Sequence, residues 1–217
     1  MPSANKGKTA KNGRAASSNS SKQNISASQK IVHQIPPVWN EQSRVLILGT
    51  MPSPKSRAAG FFYMHPQNRF WRVLPAVFGE SLRLPNNPNN AADAEAAKNE
   101  RRQFLLDHKI ALWDVLASCD IQGAADSSIK NAVPNDFSEI FRKAKIRRVF
   151  CAGQTAFKLW QKHCAALYEP LCQQSAACLP SPSPANAAWS FDRLLAEWKT
   201  ILEWLEQRGA GTIFYNS

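Results

Sequence analysis

Two short segments hold residue types that could do chemistry: His65-Pro66-Gln67-Asn68-Arg69-Phe70-Trp71 and Leu179-Pro180-Ser181-Pro182-Ser183-Pro184-Ala185-Asn186. In the first, a neutral amide lies between an imidazole and an aromatic pair, and its carbonyl can hold a water molecule. In the second, three prolines at alternate positions follow small or apolar residues. They fix an extended loop that neither a helix nor a central strand can contain. A stiff loop with a small profile suits insertion into another molecule, and Ser181, Ser183 and Asn186 could contact phosphate. A third segment, Gly49-Thr50-Met51-Pro52-Ser53, closes an apolar run, and its backbone N–H groups near Thr50 and Met51 can donate to a carbonyl oxygen.

Short apolar runs position these segments. Val45–Leu48 stops at Gly49, Ile110–Trp113 at Asp114, and Val149–Cys151 at Ala152-Gly153; a weaker fourth run, Ala177–Leu179, stops at the proline loop. Continuous apolar strands of this kind are buried on both faces, as in a parallel sheet. Between them the patterning predicts helices over Phe70–Phe78, Ala94–His108, Phe137–Ala144 and Gln154–Cys164. From Phe191, Leu194, Leu195, Trp198, Ile201, Leu202 and Leu205 recur at helical spacing and form core. Residues Leu84–Asn90, rich in Asn and Pro, predict an exposed loop. The expected fold is α/β, a three-layer αβα sandwich around a short, mainly parallel sheet of about four strands. In such sheets ligands lie beyond the carboxyl ends of the strands, and both motifs begin there.

Composition bounds the partners. The chain carries +11 with a pI near 9.7. Residues 1–30 contain six Lys and Arg and no acid in a Ser-, Asn- and Ala-rich background, which predicts a disordered basic tail ahead of a folded domain over residues 31–217. The remaining 21 basic residues still outnumber the 16 acidic ones. Such a tail either solubilises the chain or tethers it to phosphate by counterion release. No secretory leader, transit peptide or membrane-spanning run is read. Five cysteines at irregular gaps without a C-x-x-C pair point away from zinc or iron–sulfur sites and towards reduced, buried thiols. A wedge, a basic surface and a polar-aromatic motif together point to an enzyme acting on a base in DNA.

The pair of motifs resembles the uracil-DNA glycosylase superfamily. Its mismatch-specific members have G-I-N-P-G after the first strand and H-P-x-N-R-F-W at the same distance, and the Leu179–Asn186 loop is similar to the superfamily's second motif. The branch described as hypoxanthine-DNA (DNA-deoxyinosine) glycosylase is the nearest match, over most of Arg44 to Trp204. Met51 stands where mismatch enzymes have Asn, near the water-activating Asp of uracil enzymes. Leu179 stands where those enzymes carry a His. Neither a methionine nor a leucine can supply that chemistry, and the resemblance implies that Asn68 takes over as the catalytic residue. Asn68 could also simply cap the helix after it.

Further site residues follow from the resemblance and from position. Thr50, Met51, Tyr63 and His65 form the base-binding set, with Tyr63 in the place of the aromatic that stacks on a flipped base. His65, before Pro66, is read as hydrogen-bonding its own loop rather than as a catalyst. DNA contacts fall to Ser53, Ser56, Ser181, Pro182, Ser183, Pro184, Ala185 and Asn186. Pro182, Pro184 and Ala185 form the wedge tip, and Lys55 and Arg57 either clamp phosphate or form a solvated loop. Asp126, Asn135 and Asp136 follow the second strand and could meet the cleft, while Asp136 could equally cap a helix. His33, His108 and His163 have no visible partner. The implied activity is monofunctional release of a deaminated base, hypoxanthine first, in base excision repair. A uracil or thymine mismatch glycosylase, or a non-catalytic DNA-binding module, is the alternative. No lysine occupies a nucleophile position in the motifs, which favours water attack over a Schiff base. No metal or cofactor is expected. The partner is damaged duplex or single-stranded DNA, the protein acts as a monomer, and it belongs wherever genomic DNA resides, the cytoplasm in a bacterial-type cell.

Overall fold

The computed structural model describes residues 28–86, 88, 90–123 and 125–205, so most of the segment read as a basic tail lies outside the described residues. In chain order the strands are β1 (Gln29–Val32), β2 (Val45–Gly49), β3 (Ile110–Asp114), β4 (Leu116–Ile121), β5 (Lys130–Pro134), β6 (Arg148–Ala152) and β7 (Ala177–Leu179). The helices are α1 (Pro54–Ala59), α2 (Phe70–Val77), α3 (Ala91–Asp107), α4 (Ser138–Lys143), α5 (Gln154–His163), α6 (Ala165–Cys172), α7 (Phe191–Trp198) and α8 (Leu202–Leu205). Two 3-10 turns, Asp126–Ser128 and Lys199–Ile201, complete the set.

The four apolar runs form one parallel sheet in the order β3-β2-β6-β7, with Ile47 opposite both Leu112 and Phe150. Every residue of β2 is buried. Its side chains alternate between two cores, as a strand of period two must. Val45 and Ile47 join Phe70, Leu74, Phe104, Leu105, Leu194 and Trp198 from α2, α3 and α7. Leu46 and Leu48 join Ile140, Ala156, Trp160 and Tyr168 from α4, α5 and α6. A central strand covered on both faces needs no polar alternation, which is why it was legible as a continuous run.

The sheet content is mixed. A second sheet, β1-β4-β5, is antiparallel, and the apolar runs did not announce it. Only Val115 separates β3 from β4, so the chain leaves one sheet and enters the other without a turn. Val115 and Leu116 donate to Gly49 and Thr50 carbonyls, 2.9 and 3.2 Å away, binding this crossover to the end of β2. β4 reads Leu-Ala-Ser-Cys-Asp-Ile and is only half-buried, so its pattern is faint. Gln29 and Lys30, assigned by composition to the tail, open β1 opposite Ile121 and Asp120.

Three local elements differ from the sequence expectation. The helix from Phe191 is interrupted at Lys199–Ile201 and resumes as α8. α6 escaped notice because Pro170 sits inside it. α1 was read as a loop, although Ser53 caps it by accepting the Ser56 N–H at 3.3 Å and Pro54 occupies its first turn.

Candidate active site

The carboxyl ends of the parallel strands open into a cleft of about 880 Å³. Gly49, Asp114, Ala152 and Leu179 line it, one from each strand, with Tyr63, His65, Asn68 and the proline loop. Remote segments therefore meet, as the strand-end rule requires. A second cleft of about 610 Å³ lies among α4, α6 and α8 and holds none of the motif residues.

Arg69 joins the two motifs. Its backbone N–H donates to the Pro182 carbonyl at 3.0 Å. Its guanidinium donates to the carbonyls of Ser183 (3.1 Å), Asn186 (2.9 Å) and Trp189, with a longer contact of 3.4 Å to Pro182. A planar fork with five donors suits such a set of carbonyls. The loop also folds on itself. Ser181 Oγ accepts the Ser183 N–H, Ser183 Oγ accepts the Ala185 N–H, both at 3.3 Å, and Asn186 Nδ2 donates to the Ser181 carbonyl at 2.9 Å. Trp198 Nε1 fixes the loop's start on the Pro180 carbonyl at 3.0 Å. Pro184 and Ala185 are exposed while Pro182 is buried, so the projecting tip is Pro184-Ala185 and Pro182 is its anchor.

Tyr63 stacks flat on Phe70, with ring centroids 3.9 Å apart and planes 4° apart, and lines the cleft. Its φ of 56° is unusual for a tyrosine. The hydroxyl is buried and finds no hydrogen-bond partner among the described residues. Burial first, then the negative potential of Asp114, Cys151 and Asp126, pushes its pKa well above the ordinary value. Gly49 makes room for this group. A Cβ there would fall 2.2 Å from Asp114 Oδ1 and 2.7 Å from the Tyr63 hydroxyl, distances no packed methyl tolerates.

Asn68 lines the cleft, and its Oδ1 accepts the Phe70 N–H at 2.9 Å. Asn68 is not the N-cap of α2, a position held by Arg69 without a side-chain bond; it satisfies the first helical N–H from one residue further out, and its carbonyl keeps a second lone pair. His65 Nδ1 accepts the Gln67 N–H at 3.2 Å, bonding its own loop. Ser56 is buried, with Oγ accepting the Met64 N–H at 3.1 Å, so it builds the loop that carries Tyr63. Ser53 caps α1 and bonds Ser56 at 3.1 Å. Arg57 lines the cleft and donates to the Pro52 carbonyl at 2.8 Å. Met51 is half-buried, and Leu179 is buried in the core shared by α2 and α7.

Asp114 and its partner were missed. The carboxylate is buried at the strand end, and Oδ2 accepts from His33 Nε2 at 2.8 Å. Asn135 Nδ2 braces the Asp114 carbonyl at 2.9 Å without lining the cleft. Asp136 faces elsewhere, accepting from Ser138 N–H and the Tyr168 hydroxyl at 2.9 and 3.0 Å. Asp126 does reach the cleft from its 3-10 turn, where it accepts the Thr50 hydroxyl at 3.1 Å. Solvent still reaches this residue at the mouth. Desolvation by the surrounding protein nonetheless raises its pKa, opposed by the Thr50 bond and helped by the charge of Asp114. Among the described residues no group of three or more His, Cys, Asp or Glu is placed to hold a metal ion, and no helix is long and apolar enough to cross a membrane.

The cleft combines a stacked tyrosine, a buried carboxylate at the end of β3 and a hydrogen-bonded proline loop, an arrangement with room and an aromatic face for a planar ligand. The chain matches the uracil DNA glycosylase superfamily over residues 36–206 and belongs to that family. It is 30% identical over 169 residues to a hypoxanthine DNA glycosylase from Methanosarcina acetivorans, covering 76% of this chain and 94% of that protein. Against a hypoxanthine DNA glycosylase from Methanosarcina barkeri the identity is 37% over 103 residues, 48% of this chain and 58% of the other. The fold is similar to a Methanosarcina acetivorans solution NMR structure with a proposed uracil DNA glycosylase assignment (TM-score 0.63, 28% identity), covering 82% of this chain and 99% of that one.

Proposed function

We propose that this glycosylase releases deaminated bases from DNA, hypoxanthine first, by hydrolysis and without cutting the strand. The observation that carries this reading is Asp114 on the cleft floor. A carboxylate offers acceptors only. Deamination of adenine turns ring N1 from a lone pair into an N–H, so an acceptor facing that edge favours hypoxanthine over adenine. Uracil and xanthine carry a similar N–H, which keeps a uracil or thymine mismatch enzyme as the alternative. The two relatives named for hypoxanthine support the first choice.

The chemistry fits the residues present. Tyr63 lines the cleft with one ring face covered by Phe70, and its other face would serve for stacking, which tolerates any base. Leaving of the base generates an oxocarbenium-like sugar, which needs a positioned water more than a strong nucleophile. Asn68 would hold that water through the free lone pair of its carbonyl. No lysine lines the described cleft, which favours water attack over a covalent imine. Pro184-Ala185 would fill the gap left by the extruded nucleotide, whose cost is lowest at poorly paired sites.

Labelled duplexes and single strands containing deoxyinosine, uracil or xanthine, incubated with the protein and then cleaved with alkali, test the proposal. Release from deoxyinosine with the strand intact before alkali is expected. Strand nicking trapped by borohydride would overturn the hydrolytic route, and release of uracil alone would move the assignment to the alternative. Failure of every substrate would leave a DNA-binding module.

A further inference from the structure

His33 lies N-terminal to the segment matched by the family, yet its ring ends inside the candidate site. β1 brings it there by pairing antiparallel with β4, from Gln29 opposite Ile121 to Val32 opposite Ser118. The His33 N–H then donates to the Ala117 carbonyl at 2.7 Å. Further along, Val38 bridges Leu112 on β3, so the strap is anchored on both sides of the histidine. The ring packs against Phe62 at 6.0 Å and edge-on to Trp113 at 6.3 Å. His33 and Asp114 side chains are 2% and 5% exposed.

Burial gives this pair its consequence. A buried carboxylate without a donor is costly, and a donor on one oxygen fixes the rotation of the whole group. His33 takes Oδ2, and Oδ1 lies over Gly49 at the cleft floor. We propose that His33 is a positioning residue that pins Asp114 so that its second oxygen is held out to accept the ring N–H of a deaminated base. The proposal rests on the glycosylase reading above and adds to it a determinant supplied by the N-terminal strap. A histidine serving only as core would bond whatever acceptor was nearest; this one bonds a carboxylate that itself faces the cleft.

The test compares wild type with His33→Phe, which keeps the ring packing and removes the N–H, and His33→Gln, which retains an amide donor. Two readouts are taken on the full chain: single-turnover release from a deoxyinosine duplex, and the affinity ratio for uncleavable 2′-fluoro deoxyinosine and 2′-fluoro deoxyadenosine duplexes. His33→Phe is expected to lose release by roughly tenfold or more, the scale of one hydrogen bond to a charged group, and to lose the affinity ratio by a similar factor. His33→Gln should recover much of both. In an Asp114→Asn background, His33→Phe should cause little further change in the ratio, because the two act as one unit. Wild-type rate and ratio in a folded His33→Phe would overturn the proposal, as would loss of rate with the ratio intact. If His33→Phe does not fold, an unchanged ratio in His33→Gln/Asp114→Asn relative to Asp114→Asn supports the coupling, and an added loss overturns it. A wild-type protein that releases no base from any substrate refutes the glycosylase reading instead, and this assignment falls with it.

Discussion

Removing the Arg69 side chain should disable the loop while leaving the fold standing. Its guanidinium donates to four carbonyls, those of Ser183, Asn186 and Trp189 and, at the long limit of 3.4 Å, that of Pro182. Hydrogen bonds from a charged donor contribute ~1.5–3 kcal/mol each when deleted singly. Three independent losses would sum to about 5–9 kcal/mol, but bonds sharing one donor are not independent. The carbonyls are also partly returned to water, because the loop borders solvent at Ala187 and Ala188. A loosening of ~2–4 kcal/mol is the reasonable range, on the order of 30- to 10³-fold if all of it falls on the ordered loop. The backbone bond from Arg69 to Pro182 survives the substitution, as does the Trp198 bond to Pro180. Arg69→Ala should therefore melt only a few degrees below wild type, since most of the loss is local. Single-turnover release should fall by about 10² on a well-paired duplex and much less on a single strand, where no stack must be opened. Arg69→Lys, a point donor that reaches one or two carbonyls, should lie between. Wild-type rate on the duplex would refute the reasoning. Equal losses on both substrates would show that Arg69 supports the pocket and not the wedge.

Further outcomes follow from the same geometry. Asn68→Ala should lower single-turnover release ~10²-fold with little change in binding an uncleavable deoxyinosine duplex; a near-wild-type rate would leave Asn68 as the acceptor of the Phe70 N–H alone. Gly49→Ala should cost roughly 1–3 kcal/mol in a denaturant melt and abolish binding of the uncleavable analogue, because the new methyl meets Asp114 and Tyr63. An unchanged melt and affinity would mean the floor can shift. Asp126 has a raised pKa, so the folded chain holds its proton more tightly than the unfolded chain. The stability this provides is full below the ordinary Asp value of about 3.9 and is lost as pH rises through the folded pKa. Asp126→Asn should therefore raise the melting temperature modestly at pH 7.5 and lose that advantage near pH 3.5; an equal gain at both would exclude Asp126 as its source.

What the sequence revealed tracks how local the physical cause is. Pro180, Pro182 and Pro184 restrict their own backbone, and Gly49 ends a run of side chains buried on both faces, so loop and strand could be read within a few residues. Asp114 was as legible as Gly49, since it ends the neighbouring strand and the strand-end rule covers it equally. No motif follows it, so its position at the strand end is the one signal that marks it. The role of Arg69 was hidden for another reason: its partners are backbone carbonyls, which every residue has, so no side-chain pattern signals them. His33 was the least legible. Its partner lies 81 residues away, and it arrives there only because the faintly patterned β4 accepts β1 as an antiparallel neighbour. The placement of Pro182 inside and Pro184 outside depended on Arg69 as well, because the buried proline is the one whose carbonyl the arginine holds.

The charge distribution makes the same division of labour. The chain is strongly basic, yet the acids lining the cleft, Asp114, Asp126 and Glu197, outnumber its single arginine, Arg57. For the proposed substrate, phosphate would be drawn to the protein as a whole and repelled from the pocket, which would leave the uncharged base as the part of a nucleotide that enters. In the proposed reaction Asp114 would meet the base edge, while Asp126 at the mouth would be the carboxylate nearer a sugar that becomes positive as the bond to the base breaks. A fixed negative group would stabilise that charge more in a site partly closed to water by the bound base than in bulk solvent. For the proposed reaction, a weak water-holding group such as Asn68 is then sufficient, because the pocket lowers the barrier through the departing charge and not through the strength of the nucleophile.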